Sequence, residues 1–258
     1  MTKRFRRLVP LLLVLDVCLA GLIINAYSAP CTRPITSVQY PAPDNPSRLI
    51  QGFLVKPDGE GPFPAIVFVH GGGGDRPGDA RSIAQKFFTC DYVDNGYVVL
   101  STDYRNNWGY REYLDAFAAI DYIRAQPFVD PDRIGVIGGS HGGYIVIRVM
   151  EEDQRFHGEK TIKVGVDFFG VKYFPPPLIS TYCCIDDLQA PLFIIHGDRD
   201  LLVPVWDSIR FAEALESAGK EYELLIVPGA EHGFILTETD VSRESIQRSI
   251  DYINAVLR

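Results

Sequence analysis

Three observations place this chain in the α/β class, as a mostly parallel, twisted sheet with helices on both faces. Short apolar runs that suit strands, such as Pro64 to Val69 and Pro191 to His196, alternate with longer stretches of helical character. These runs are apolar throughout instead of alternating, which is the pattern of strands covered on both sides. The repeated order of strand, helix and strand then requires parallel strands joined by right-handed crossovers. With 258 residues, 47% of them hydrophobic, the chain can bury one substantial core and suits a single domain of this kind.

The first stretch stands outside that pattern. Lys3, Arg4, Arg6 and Arg7 precede an apolar run from Leu8 to Ile24, which reads as the basic and apolar regions of an export signal. Ala26-Tyr27-Ser28 offers a small-x-small cleavage site, and the competing reading is a retained anchor that tethers the protein to a membrane through residues 8–24. Residues 1–28 are therefore expected to be a signal peptide or signal anchor, residues 29–48 a linker or early edge hairpin, and residues 49–258 the catalytic domain, exported to the periplasm or secreted. Beyond the signal stand Cys31, Cys90, Cys183 and Cys184, an even number that suits disulfides in an oxidising compartment. The vicinal pair Cys183-Cys184 could clamp a short loop, bond elsewhere or stay unpaired, and no Cys/His spacing suggests a zinc site. A formal charge of −8, with no basic cluster past the first seven residues, argues against a nucleic-acid partner.

Leu49 to Lys56 leans towards strand, and the turn Pro57-Asp58-Gly59-Glu60-Gly61-Pro62 leads into the strand that ends at Val69. His70-Gly71-Gly72-Gly73-Gly74 follows. Successive glycines at the carboxyl end of a buried strand let backbone N–H groups approach a ligand, as an oxyanion loop does. Ala80 to Asn95 reads as one helix closed by Gly96, and Tyr97 to Asp103 as the next strand. The aromatic, polar loop from Tyr104 to Tyr110 leaves a strand's carboxyl end, which makes Trp108 and Tyr110 candidates for lining a substrate site. Helix Glu112 to Ala125 turns Leu114, Phe117, Ala118 and Ile120 to the core and is stopped by Pro127. Ile162 to Phe169 is another apolar strand. The segment Val171 to Ala190, broken by Pro175-Pro176-Pro177, cannot form a large lid, so an open site is expected. After the strand ending at His196, Ser208 to Ala218 reads as a helix capped by Gly219 and Tyr222 to Val227 as the last strand. Ile246, Ile250, Ile253 and Leu257 then form the core stripe of a terminal helix.

The chemistry is concentrated between Asp130 and Met150. Arg133 to Ile137 suits a buried strand and Tyr144 to Met150 a core helix, with Ser140 between them, Gly138 two residues before it and Gly142 two after. This is the G-x-S-x-G elbow, a turn so sharp that its neighbours cannot carry a Cβ, leaving the hydroxyl exposed at the tip. At the start of the following helix, backbone N–H groups and the helix dipole favour negative charge beside that hydroxyl. Tyr144 on that helix is a further candidate for lining the site. Ser140, Asp200 and His232 then follow in chain order, each just past a predicted strand. A serine hydroxyl is a poor nucleophile at neutral pH, so His232 must take its proton, and an acid must fix the imidazole. Asp200 is assigned as that acid; Asp198 is its local rival, with bracing of the same turn as its other role.

Several motifs together resemble a known group. His196-Gly197-Asp198-Arg199-Asp200-Leu201-Leu202-Val203-Pro204 is similar to the H-G-x-x-D-x-x-V-P segment of the prolyl oligopeptidase and dienelactone hydrolase branches of the α/β-hydrolase superfamily. Asp130 to Gly135 leading into Ser140, Asp103-Tyr104-Arg105, His70-Gly71-Gly72 and Glu231-His232-Gly233 are similar too, so the resemblance covers residues 49–258. It implies the α/β-hydrolase fold with little or no lid, Asp200 as the triad acid, and an oxyanion held by the N–H of His141 and one from the Gly71-Gly72 loop. Dienelactone hydrolases proper carry cysteine where Ser140 stands, and the oligopeptidases add a large propeller for which this chain has no room. The expected protein is thus a small exported serine hydrolase acting on carboxylic esters, with no metal or organic cofactor. A serine peptidase acting on short peptides, and a binding protein on a hydrolase fold, are the alternatives.

Overall fold

The computed structural model describes residues 30–72, 79–105, 110–173 and 180–258. One eight-stranded sheet organises them. Its strands are β1 (Thr36–Ala42), β2 (Asn45–Val55), β3 (Phe63–Val69), β4 (Val98–Thr102), β5 (Val129–Gly139), β6 (Ile162–Phe168), β7 (Leu192–Gly197) and β8 (Tyr222–Val227), in the spatial order β1-β2-β4-β3-β5-β6-β7-β8. β1 and β2 form an antiparallel hairpin, β2 joins β4 antiparallel, and every pairing from β4 to β8 is parallel. The apolar runs read as doubly covered strands are just that: Ala65 to Val69 of β3 and Leu192 to Ile195 of β7 are buried throughout.

Helices cover both faces. α1 (Asp79–Ala84), α2 (Phe87–Asp94) and α6 (Asp240–Leu257) pack on one, with Phe68, Val166 and Ile195. α3 (Tyr113–Arg124), α4 (His141–His157) and α5 (Val205–Ser217) pack on the other, with Val67, Val136 and Ile194. The stripe expected on the terminal helix is the buried face of α6, where Ile246, Ile250, Ile253 and Leu257 are each at most 3% exposed. Leu114, Phe117, Ala118 and Ile120 of α3 are likewise in the core.

Three expectations are revised. Of the two readings for residues 29–48, the edge hairpin is the one found, and β2 begins at Asn45, so a strand crosses the expected boundary at 49. The helix expected from Ala80 to Asn95 is two helices, because Lys86 is extended (φ −71°, ψ 150°). The break exposes the Gln85 carbonyl to the Cys31 N–H at 3.1 Å and lets the Thr89 hydroxyl take the Ile83 carbonyl, beside a Cys31–Cys90 disulfide. No glycine or proline marks the break, since tertiary partners make it. Third, β5 runs well past the Arg133–Ile137 core on both sides. The second cysteine pair is Cys183–Cys184.

The export or anchor segment lies outside the described residues, as do Gly73, Gly74, Trp108 and residues 174–179. Among the described residues no helix is long and apolar enough to cross a membrane. The described part of the Val171–Ala190 segment holds two single-turn helices, Thr181–Cys183 and Ile185–Asp187.

Two predictions follow from this packing. Ile250→Ala, which empties a fully buried position between α6 and the sheet, is expected to cost about 2–5 kcal/mol, read from urea unfolding. His157, near the end of α4, lies 2.7 Å from Asp153 and 3.1 Å from Asp121 of α3. Burial alone lowers its pKa, but the two carboxylates outweigh it and raise the value to about 9. A folded-state pKa above the ordinary value of about 6.5 stabilises the fold fully below that pH and less as pH rises through about 9. The stability gap between the wild type and His157→Gln should therefore be widest below about pH 6.5, shrink as pH rises from there and be gone above about pH 9 in urea titrations.

Candidate active site

The elbow is built by steric exclusion. Ser140 connects β5 directly to α4 and holds φ 56°, ψ −122°, a region that non-glycine residues rarely occupy. A Cβ on Gly138 would lie 2.2 Å from the Gly142 carbonyl oxygen, and one on Gly142 would lie 2.1 Å from that of Val69. Both glycines are thus required by close approach of backbone, as the G-x-S-x-G spacing predicts. The strained residue is held by four hydrogen bonds: its N–H donates to Phe168 at 2.9 Å, and its carbonyl accepts from Gly143, Tyr144 and Val171.

Folding brings the sequence-predicted trio together. Ser140 Oγ lies 2.9 Å from His232 Nε2, and His232 Nδ1 lies 2.7 Å from Asp200 Oδ2. A carboxylate only accepts, so Nδ1 carries the proton and Nε2 is left to accept from the serine hydroxyl. The other oxygen of Asp200 accepts from the backbone N–H groups of Leu202 and Val203 at 2.9 and 2.8 Å, which fixes the plane of the carboxylate. Asp198 makes the bracing contact instead: its Oδ1 accepts from the Gly229 N–H at 2.6 Å, pinning the loop that carries His232. Phe169 packs edge-on to the His232 ring, with centroids 5.0 Å apart.

Opposite the hydroxyl, Gly71 approaches the elbow so closely that a Cβ there would lie 3.0 Å from both the Gly139 oxygen and the Ser140 Cβ. The loop is held from below. Tyr104 Oη lies 3.0 Å from the His70 carbonyl and 2.7 Å from that of Gly72, and its ring stacks on His70 at 4.6 Å. His141 is the first residue of α4, and its N–H precedes the helix's own ladder, which begins with Gly143 and Tyr144 donating to Ser140. The Gly71-Gly72 loop and the start of α4 thus flank the hydroxyl as donors for a developing oxyanion must.

Two side chains behind the trio escaped sequence reasoning. His196 is completely buried and places Nε2 2.8 Å from the Val203 carbonyl and 3.2 Å from Asp200 Oδ2. Burial, and then the nearby Lys172 ammonium, lower its pKa, so it is neutral near pH 7. Because Val203 can only accept, Nε2 carries the proton and Nδ1 accepts from Ser208 at 2.7 Å; Ser208 in turn accepts from Lys172 at 3.0 Å. The signal for His196 was its place in the H-G-x-x-D segment, but only coordinates reveal a second imidazole on the acid. Tyr104 was visible only as part of the Asp103-Tyr104-Arg105 triplet.

The remaining candidates are placed differently. Tyr110 is 56% exposed, and Tyr144 is 1% exposed, packed against the His141 ring. Neither lines the cavity beside Ser140, and Trp108 lies outside the described residues. Among the described residues no cluster of His, Cys, Asp and Glu could hold a metal ion.

The geometry separates the two aspartates sharply. Asp200→Asn is expected to slow the reaction of Ser140 with a fluorophosphonate by about 10³–10⁴-fold, as loss of a triad acid does. Asp198→Asn, which changes only a bracing acceptor, should slow it less than about tenfold, the size of one lost hydrogen bond.

Comparison with known proteins places the chain among relatives of the same construction. Residues 104–255, more than half of the 258, match the model of the dienelactone hydrolase family, and that span contains Ser140, Asp200 and His232. The uncharacterized peptidase YuxL of Bacillus subtilis is 28% identical over 84% of this chain, which spans only 38% of that relative's length. A puromycin-hydrolyzing peptidase from Mycobacterium tuberculosis superposes with a TM-score of 0.73 at 21% identity, covering 87% of this chain and 39% of that one. The thermophilic esterase Est2 of Thermogutta terrifontis superposes with a TM-score of 0.68 at 26% identity, covering 84% of this chain and 90% of the esterase. Motif order, sheet topology and the matched span agree: the chain belongs to the dienelactone hydrolase family and has the α/β-hydrolase fold.

Proposed function

We propose that this protein hydrolyses carboxylic esters through an acyl-enzyme on Ser140. The observation that carries the reading is the unbroken hydrogen-bonded chain from Ser140 through His232 to Asp200, facing a glycine loop across the hydroxyl. Ser140 Oγ bonds to the carbonyl carbon while its proton passes to His232 Nε2, and negative charge collects on the carbonyl oxygen between the Gly71-Gly72 loop and the start of α4. Collapse of this intermediate expels the alcohol, which takes the proton from His232. Water then repeats the sequence, losing a proton to His232 and releasing the acid. Asp200 stabilises the imidazolium in both halves.

Esters are preferred over peptides on a fold-level observation. The thermophilic esterase Est2, 26% identical over 84% of this chain, supports that preference, and the peptidase YuxL and the puromycin-hydrolyzing peptidase support the alternative. The peptidase reading stays alive because those relatives share the sheet. Both cysteine pairs, Cys31–Cys90 and Cys183–Cys184, support export to an oxidising compartment.

Ser140→Ala is expected to abolish both turnover of p-nitrophenyl acetate and butyrate and labelling by a fluorophosphonate; activity surviving that change would refute the mechanism. Aminoacyl- and prolyl-arylamides should turn over at least about 100-fold more slowly than the esters, since the amine leaving group resists expulsion by several kcal/mol, each 1.4 kcal/mol being a factor of ten. Comparable rates would favour the peptidase reading, and no labelling of the wild type would favour a binding protein.

A further inference from the structure

A cavity of about 430 Å³ opens beside the hydroxyl, a volume within the usual range of small-molecule sites. It reaches Ser140 and His232 and lies between the oxyanion loop, the junction of α1 with α2, and the single-turn helix Phe234–Leu236. Its walls are mostly apolar, with Asp79, Ser82 and Lys86 the polar side chains on the α1 and α2 side. Phe68 and Phe169 form the floor, Ile83 of α1 one side, and Ile235 and Leu236 the other. Phe68, Phe169, Ile83 and Ile235 all belong to the core on the α1, α2 and α6 face, so the cavity descends over the rim of the sheet onto that face. Among the described residues, α3, α5 and the Val171–Ala190 segment contribute nothing to the lining. Lys86 Nζ donates to the Leu236 carbonyl at 3.2 Å and joins the two walls.

Position decides which half of an ester enters. In the reaction proposed above the carbonyl oxygen points at the Gly71-Gly72 loop, and the leaving oxygen must come within reach of His232 Nε2, which returns the proton to it. The cavity is walled on one side by the loop that faces the carbonyl oxygen and on the other by residues that continue directly from His232, namely Gly233, Ile235 and Leu236. A chain attached to the leaving oxygen therefore runs into this space. We infer that the cavity is an alcohol subsite, and that the preferred substrates are esters of apolar alcohols of several carbons. The inference rests on the ester-hydrolase reading and adds the substrate class to it. In the step concerned, the Ser140 Oγ–carbon bond forms, the carbon–oxygen bond to the alcohol breaks, and the proton first taken from Ser140 passes to the alcohol oxygen; the acyl group stays on the enzyme.

Acetates of methanol, 1-butanol and 1-hexanol share one acetyl-enzyme, so kcat/KM reports the step in which the alcohol is still present. Along this series kcat/KM is expected to rise roughly fourfold per methylene, the transfer value of a buried CH₂. Methyl butyrate and methyl hexanoate should show no comparable rise. Ile83→Trp, which fills the space, and Leu236→Ser, a polar wall at a position 43% exposed and so tolerant of change, should each cut the hexyl to methyl acetate ratio at least about tenfold. A flat alcohol series, or a rise confined to the acyl series, with methyl acetate still hydrolysed, would overturn the subsite while sparing the ester reading. Failure to hydrolyse any ester, with Ser140 unlabelled, would remove both.

Discussion

The structure depends on a steric constraint: three stretches of backbone meet at van der Waals distance where β5 turns into α4. Gly142 sits against the end of β3, Gly138 against Gly142, and Gly71 against Ser140 and Gly139. A side chain would clash outright at Gly138 and Gly142 and be crowded at Gly71, so the hydroxyl of Ser140, the start of α4 and the oxyanion loop are held relative to one another by packing. A non-glycine residue at φ 56° costs on the order of 1–3 kcal/mol. The hydrogen bonds that Phe168, Gly143, Tyr144 and Val171 make to Ser140 offset it. The constraint also settles the order of strands, because β3, carrying the glycine loop, must lie beside β5 for its carboxyl end to reach the elbow.

Polar groups buried beneath the elbow tie the nucleophile to the acid. Asp167 of β6 and Lys172 form an ion pair at 2.6 Å with both side chains fully buried. Asp167 lies so close under α4 that a Cβ on Gly143 would come within 2.0 Å of its oxygen. Lys172 reaches the other way, to Ser208 of α5, which bonds His196, which touches Asp200. A buried pair of this kind adds little stability against an apolar replacement, because desolvation of both charges consumes the Coulombic gain. What it supplies is direction. From Lys172 through Ser208 and His196 to Val203 the hydrogen bonds all run in one direction, so the chain fixes the His196 tautomer and holds the Asp200 loop without bringing a second positive charge to the triad.

The parts legible in the sequence were those written by local chemistry. Unbroken apolar runs gave the parallel strands, the spacing of Ile246, Ile250, Ile253 and Leu257 gave the inner face of α6, and glycines two before and two after Ser140 gave the elbow. The choice of Asp200 over Asp198 was legible through motif resemblance, and the distances explain it: one carboxylate faces His232, the other faces a backbone N–H of the same loop. What stayed hidden depends on partners remote in sequence. The break between α1 and α2 exists because Cys31, more than fifty residues earlier, takes the Gln85 carbonyl and bonds Cys90. Tyr144 looked available for substrate because it follows the elbow closely, but the helix turns it inward against His141. His196 read as the end of a strand; the turn after β7 folds Asp200, four residues on, back to within 3.2 Å of its ring.

The two faces of the sheet consequently serve different ends. The α3, α4 and α5 face is closed by apolar packing, with the Asp167–Lys172–Ser208–His196 chain running to the sheet's rim, and so holds the acid and the nucleophile rigidly. The α1, α2 and α6 face is also filled by buried apolar side chains near β4 and β6, yet at the rim the split between α1 and α2 leaves a space between Ile83 and the Ile235–Leu236 turn that Lys86 bridges. One continuous helix from Ala80 to Asn95 would carry its axis straight on, whereas the extended Lys86 starts a new helix and sends the Lys86 ammonium to the Leu236 carbonyl. The irregularity that sequence periodicity does not foresee is therefore the one that leaves space beside His232. A rigid triad on a closed face and an open apolar space on the other allow substrate preference to change through a few side chains, without disturbing the backbone contacts that fix Ser140.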